Sequence, residues 1–379
     1  MIRRVYRWLM PAVTAGFPLH RFNNQHPPPE YSGLVVTSDI DATYLQTAVH
    51  SLRGLVRAAL EKAEEKRTIP GMLPILRAFR DGIPSYEEQI PLYFVSASPP
   101  QMLKVLVQKM ELDQLVADGI TLKDPLRLLR RGRITQIKQH VLYKLTALLL
   151  NRCERASGSA IEEILLGDDS ESDAEIYLLY ARILEEHLSE KELRETFDEL
   201  GATSREQENL LVLARRQDKS RVKRIYIHRT FARKVEDLPS HSPDLLLAAK
   251  DAFQIAIDAY VHGWFTLQDV RNVALELDVL TLASSIKEAQ ERELFHEDII
   301  ETVHQDLESI GINIEEAPDI EPKPLIPESE EPFRSNVHLD LESALPSIRR
   351  TLEKSAHQAQ HLAKRAIHKA QQVNTPKQD

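Results

Sequence analysis

Cysteine is nearly absent from this chain of 379 residues: Cys153 stands alone. One thiol excludes an intramolecular disulfide framework and a thiolate metal cluster, and such usage fits a reducing, cytoplasmic setting. Glycine is sparse at 12 residues, and none of it forms a glycine-rich phosphate loop. No segment approaches the roughly 18 consecutive apolar residues that a membrane span requires. There is no internal repeat. Positive charge is also in deficit: a formal net charge of -10 argues against general nucleic-acid binding, which depends on neutralising phosphates with Lys and Arg.

What is present is long enough for a large core plus further modules, since single cores stop growing at about 250 to 300 residues. Residues 1–30 open with Arg3, Arg4 and Arg7 among apolar neighbours, and Pro11 interrupts them before a signal-peptide core can form. This start reads as a helix docked on its own domain, with an interfacial membrane helix as the alternative. Five short apolar runs follow, at 34–40, 92–96, 119–122, 161–167 and 222–227. Segments with helical spacing separate them, for example Leu52, Leu55, Val56 and Leu60, then Leu73, Ile75, Leu76 and Phe79 after Pro70-Gly71-Met72. That alternation predicts an α/β domain over 31–230 with a parallel five-stranded sheet and crossover helices. Ser98 reads as the cap of the helix that follows the second strand.

Residues 231–312 read as a helical extension, including an amphipathic helix over 244–261 that Gly263 would close. Thr266, three residues before Asp269, marks the next helix start. Residues 313–335 hold prolines among acidic residues and read as a linker, and 336–379 as a basic helical tail. His228, His262, His357, His361 and His368 are scattered, and only His357 and His361 have the spacing of a metal-ligand pair, with no third ligand evident.

The chemistry concentrates at strand exits. Asp39 and Asp41, in Ser38-Asp39-Ile40-Asp41-Ala42-Thr43, follow the first apolar run, and Gly167-Asp168-Asp169-Ser170-Glu171-Ser172-Asp173 follows the fourth. The carboxyl ends of parallel strands open onto the ligand crevice. Two acidic exits there suit a hard divalent cation such as magnesium, which prefers carboxylate oxygens. Between them Phe94-Val95-Ser96-Ala97-Ser98 ends a strand in a hydroxyl that could donate to a phosphoryl oxygen. Lys144, ahead of Lys138 and Lys123, is the candidate to neutralise charge on nucleophile and phosphate.

This ordered set resembles the haloacid dehalogenase superfamily of magnesium-dependent phosphatases, and more narrowly the catalytic domain of the actin-patch-associated phosphatidate phosphatases and their bacterial relatives. The residues that carry it are SDIDAT at 38–43, Ile69-Pro70-Gly71-Met72, YFVSASP at 93–99, Leu122-Lys123-Asp124 and GDDSESD at 167–173 with Glu175-Ile176-Tyr177. It covers about 31–228. The resemblance implies a Rossmann-like fold, Asp39 as a nucleophile that becomes an aspartyl phosphate, and Asp41 as general acid and then base. It implies Ser96, with Thr43 and Ala97, as substrate contacts, and Lys144 as charge stabiliser. Magnesium would be held by Asp39, Asp41, Asp168 and Asp173, with Asp169 competing for the last place. One departure is that these phosphatases usually carry a third aspartate where this chain has Ala42.

The implied function is hydrolysis of phosphatidate or another lipid phosphate by a cytoplasmic protein that touches membranes peripherally. A phosphotransferase or phosphonatase would fit the same scaffold. The alternative is a catalytically weak scaffold that serves as a membrane-surface or protein-interaction module.

Overall fold

A computed structural model of the chain describes residues 19–28, 31–46, 61–82, 89–123, 140–155, 161–170, 172–186, 188–217, 221–230, 235–239 and 241–314. The expected N-terminal helix, the Leu52 to Leu60 stripe, Asp124, Lys138, most of the acidic linker and the basic tail with its histidines lie outside them.

Seven strands form one sheet: β1 (Leu19–Phe22), β2 (Gly33–Ser38), β3 (Leu92–Ser96), β4 (Gly119–Lys123), β5 (Ile161–Asp168), β6 (Arg221–His228) and β7 (Leu246–Ala249). Their spatial order is β1-β4-β3-β2-β5-β6-β7. β2 through β7 run parallel, and β1 closes one edge antiparallel to β4, with Leu19 opposite Lys123. Counting only the parallel strands in chain order gives 3-2-1-4-5-6, the order of a doubly wound sheet, whose switch point lies between its first and fourth strands. Here those are β2 and β5.

The α/β expectation therefore holds, while the expected five-stranded parallel sheet is corrected to seven strands. β1 hides in the segment read as basic and apolar; its residues alternate half-buried and exposed, as suits an edge strand. β7 lies inside the expected 244–261 helix. The run Leu245-Leu246-Leu247-Ala248-Ala249 has no period to distinguish strand from helix, and pairing with β6 settles it as a strand.

Ten helices of the described residues cover the two faces: α1 (Met72–Asp81), α2 (Leu103–Leu112), α3 (His140–Arg155), α4 (Asp173–Glu185), α5 (Glu190–Glu199), α6 (Ser204–Ala214), α7 (Ala252–Val261), α8 (Leu267–Ala274), α9 (Val279–Glu291) and α10 (Glu297–Ser309). α1 forms because Met72, Ile75, Leu76 and Phe79 recur on one face, and all four are buried. Each such side chain contributes about 2 kcal/mol of apolar burial. α1, α2 and α7 to α10 pack with Leu34, Val36, Phe94 and Leu166 in one core. α3 to α6 pack with Val95, Leu165, Ile225 and Ile227 in a second core. β2 is buried along its whole length, because its side chains enter cores on both sides.

Two contacts fix the helices after β7, one to the sheet and one to α1. Arg224 donates to Asp258 of α7 through Nε and Nη2, at 3.0 and 2.6 Å, and the Tyr226 hydroxyl donates to the same carboxylate at 2.8 Å. On the other side Gly71, at φ +79°, caps α1 against α7 and α8. A Cβ there would lie 2.7 Å from Ala252 Cβ and 3.0 Å from Val273 Cγ1. Gly71→Ala is expected to lose about 1 to 3 kcal/mol by overpacking, read as a lower denaturation midpoint with an unchanged slope.

Asp251 caps α7: its side chain accepts from the backbone N–H groups of Phe253 and Gln254 and from the Ser285 hydroxyl. Burial nevertheless pushes its carboxyl up from 3.8 to about 6, against the lowering effect of those hydrogen bonds. The folded chain thus keeps a proton that the unfolded chain loses near 3.8, so this group's contribution is favourable below that pH and is lost as pH rises through about 6. Asp251→Asn retains the accepting oxygen and cannot ionise. Its stability relative to wild type should rise by roughly 2 to 3 kcal/mol between pH 4 and pH 7, measured by denaturant unfolding at each pH.

Candidate active site

β2 ends at Ser38 and delivers Asp39 to the switch point. The Asp39 amide still donates to Leu166 O of β5 at 2.8 Å, so the first carboxylate is fixed by sheet register. The chain then turns sharply. Tyr44 N and Leu45 N both donate to Ile40 O, Ala42 N donates to Leu45 O, and Ala42 takes φ +54°, in the left-handed region. Ile40, Tyr44 and Leu45 are buried in the first core, which anchors the turn from inside.

From the neighbouring exit, β5 supplies Asp168, and α4 begins with Asp173. Asp168 accepts from the amide and hydroxyl of Ser170, at 2.6 Å for the amide. Asp173 accepts from the Asp168 amide at 3.4 Å. α3, which packs in the same core as α4, brings in Lys144: its Nζ lies 3.0 Å from Asp39 Oδ2 and 2.5 Å from Asp173 Oδ1. All four groups are almost wholly buried, Asp39 at 1 % exposure.

Carboxylate oxygens of Asp39, Asp168 and Asp173 lie within 4.8 Å of one another, the only such group among the described residues. With all three ionised, Lys144 offsets only part of the negative charge in a buried site, an arrangement that further positive charge relieves. A divalent cation would supply such charge, and these are hard oxygen ligands of the kind such ions take. The donor set therefore fits a bound divalent metal. Tyr177, whose hydroxyl donates to Leu166 O at 3.1 Å, is held neutral by burial first and by Asp173 second.

Asp41 lies outside this trio. Its Oδ2 accepts from the hydroxyls of Ser96 and Ser98, each at 2.8 Å, and its Oδ1 has no hydrogen-bond partner among the described residues. At 9 % exposure it is more open than Asp39. Asp169 also lies outside, turned away to accept from the amide and hydroxyl of Thr230 at 2.6 and 2.5 Å. The chain thus brings Asp39, Lys144, Asp168 and Asp173 together, places Asp41 beside Ser96, and does not bring Asp41 or Asp169 into the carboxylate group.

Thr43 is fully buried with its hydroxyl unpartnered among the described residues. Ala97 is half-buried past the end of β3. Lys123 sits at the end of β4, 5.5 Å from the centre of the Tyr143 ring. Cys153 is buried among α3, α4 and α6 residues, away from these groups. His262 donates to Asp258 O at 2.8 Å and stacks on Trp264.

Two participants escape a reading of the sequence. Ser98 does not cap a helix: the cap position of the short 3-10 turn Pro100–Met102 is Pro99, and the Ser98 hydroxyl goes to Asp41 instead. The Ser-x-Ser spacing at a strand exit was its one signal. His228, at the exit of β6, lies 3.0 Å from Ala42 O through Nδ1, a contact between residues 186 apart that no local pattern announces.

Gly167 is what lets α4 approach so closely. A Cβ there would lie 2.5 Å from Asp173 Oδ2 and 2.8 Å from both Asp173 Cβ and the Tyr177 ring. Gly167→Ala is expected to cost about 1 to 3 kcal/mol of stability and to weaken divalent-metal binding measured by calorimetry, because the displaced group is one of the three carboxylates.

Comparison with curated proteins and with solved structures gives no match. Residues 34–193, from β2 into α5, match the family model described as phosphatidate phosphatase APP1, catalytic domain, the family that the motifs from Ser38 to Asp173 resemble.

Proposed function

We propose that the chain is a magnesium-dependent phosphatase of the haloacid dehalogenase type that acts on phosphatidate or a similar lipid phosphate through an aspartyl phosphate on Asp39. The observation that carries this reading is the buried trio Asp39, Asp168 and Asp173 sharing Lys144 at the switch point of the sheet. The match over residues 34–193 supports phosphatidate as the substrate class.

In this reading an Asp39 oxygen attacks phosphorus as the bond to the diacylglycerol oxygen breaks. Asp41, oriented by Ser96 and Ser98, protonates that leaving oxygen. Water then attacks the phosphoryl group while Asp41 takes its proton, which releases phosphate and restores Asp39. Lys144 stabilises negative charge between Asp39 and the transferred group. Magnesium held by Asp39, Asp168 and Asp173 would supply further charge neutralisation at the phosphoryl oxygens. Thr43 and the backbone beyond Ser96, in the loops that follow β2 and β3, would receive phosphoryl oxygens. Among the described residues no helix is long and apolar enough to cross a membrane. In the same proposal the protein is cytoplasmic and meets its substrate at the membrane surface.

The test is release of phosphate from phosphatidate in mixed micelles and from an aryl phosphate, with and without magnesium. Asp39→Asn should lose on the order of 10³-fold or more of kcat on both substrates. Asp41→Asn should lose about 10²- to 10⁴-fold on phosphatidate, yet still give a burst of nitrophenolate from an aryl ester, whose leaving group needs no proton. Full activity of Asp39→Asn, or activity that survives chelation and dialysis, would overturn the mechanism.

A further inference from the structure

The exit of β6 touches both acidic loops at once. His228 is opposite Asp168 in the β5 to β6 register, and its carbonyl accepts from the Asp169 amide at 3.2 Å. Two residues on, Thr230 donates its amide and hydroxyl to the Asp169 carboxylate. In the opposite direction the His228 ring reaches the Asp39 to Thr43 turn and meets Ala42 O at 3.0 Å. The ring is 2 % exposed. Neither His228 nor Thr230 falls within 34–193, so the β6 exit is outside the part of the chain that the family match covers.

A carbonyl oxygen only accepts, so the contact requires the proton on Nδ1. Burial keeps the ring from charging, although the hydrogen bond to Ala42 works the other way. A neutral ring protonated on Nδ1 leaves Nε2 as a buried lone pair, and Nε2 has no hydrogen-bond partner among the described residues. The recipient of this hydrogen bond is under strain of its own. Ala42 is a residue with a Cβ in the left-handed region, a conformation that alanine does not favour and that persists only where its surroundings fix it. Ala42 N is bound to Leu45 O on one side, and His228 holds Ala42 O on the other.

We propose that His228 is a positioning residue of this site: through Nδ1–H it fixes the Ala42 carbonyl and thereby the turn that aims Asp41 at the Ser96 and Ser98 hydroxyls, while its own carbonyl ties that turn to the Asp168 loop. The role calls for no contact with substrate or metal. Its effect is on the relative placement of Asp41 and the three-carboxylate group, and that effect on turnover rests on the phosphatase reading above.

Three variants separate positioning from packing. Asn carries an N–H donor where Nδ1 stands, Gln carries one a carbon further out, and Leu fills the space with no donor. His228→Leu should lower kcat about 10- to 100-fold with KM changed by no more than about twofold. His228→Asn should restore most of kcat, and His228→Gln should not. Thermal midpoints of the three report packing separately. Independently of turnover, the ring nitrogen resonances of the wild-type protein, assigned by their loss in His228→Asn, should show the Nδ1–H tautomer.

Wild-type kcat in His228→Leu, an Asn variant no better than Leu, or a neutral ring protonated on Nε2 would each overturn the inference. If His228→Leu does not fold, the Asn to Gln comparison and the tautomer decide. An Asp39→Asn enzyme that still turns over would overturn the phosphatase reading itself, whereas an inactive Asp39→Asn beside an unimpaired His228→Leu overturns only the role of His228.

Discussion

Lys144 lies between two buried carboxylates, and much of the surrounding structure exists to hold it there. An ammonium removed from water loses hydration worth several kcal/mol, and only close, well-oriented anions offset the loss. Asp39 and Asp173 provide them, one from the end of β2 and the other from the start of α4. Their approach depends on three separate features. β2 must end at the switch point, α3 must pack its apolar residues Leu142, Leu145, Leu148 and Leu149 into the second core, and α4 must lie flush on the glycine at 167. Removing any of these would leave a charge buried without its counterpart. Asp168 adds a third carboxylate to these two, which gives the group a reason to bind a cation.

Strand spacing sets the scale of the site. Adjacent strands are about 4.8 Å apart, so the exits of β3, β2, β5 and β6 form a row on the order of 15 Å long. Asp41 leans toward β3, where it meets the Ser96 and Ser98 hydroxyls. Asp168 and Asp173 stand on the β5 side, and the β6 exit braces the far end through His228 and Thr230. The two acids of one motif thus face different neighbours: Asp39 an ammonium and carboxylates, Asp41 two hydroxyls. Chain direction alone produces this division, since side chains two apart across a sharp turn cannot remain parallel.

Those same distances explain which parts were legible in the sequence. Asp39, Asp168 and Lys144 were legible because each sits at a fixed offset from an apolar run or helix, and sheet register turns such offsets into proximity. The five interior strands were legible because burial on both faces makes them continuous apolar runs. β1 and β7 were not: the first is four residues whose alternation means something only beside β4, and the second is an apolar run with no period. Ser98 was misread because a serine before prolines satisfies the composition of a helix cap, and only the third dimension shows Asp41 competing for its hydroxyl. His228 carries no local signal at all. Its importance lies in a carbonyl 186 residues earlier in the chain.

Ala42 shows how a motif position can carry geometry without chemistry. The phosphatases that the motif resembles usually place an aspartate there, which by charge counting alone looks like a lost ligand. In the fold, the residue occupies the left-handed corner of the turn, 3 % exposed, with its carbonyl on His228 and its amide on Leu45. Aspartate and asparagine are the non-glycine residues that tolerate this backbone region best, so the position selects for a turn. Alanine satisfies the turn less readily and relies on its partners to hold it. The carboxylate trio meanwhile draws on Asp39, Asp168 and Asp173, none of them at this position. The departure at Ala42 therefore shifts the burden of shaping the turn onto the β6 exit and leaves the charge of the trio as it was.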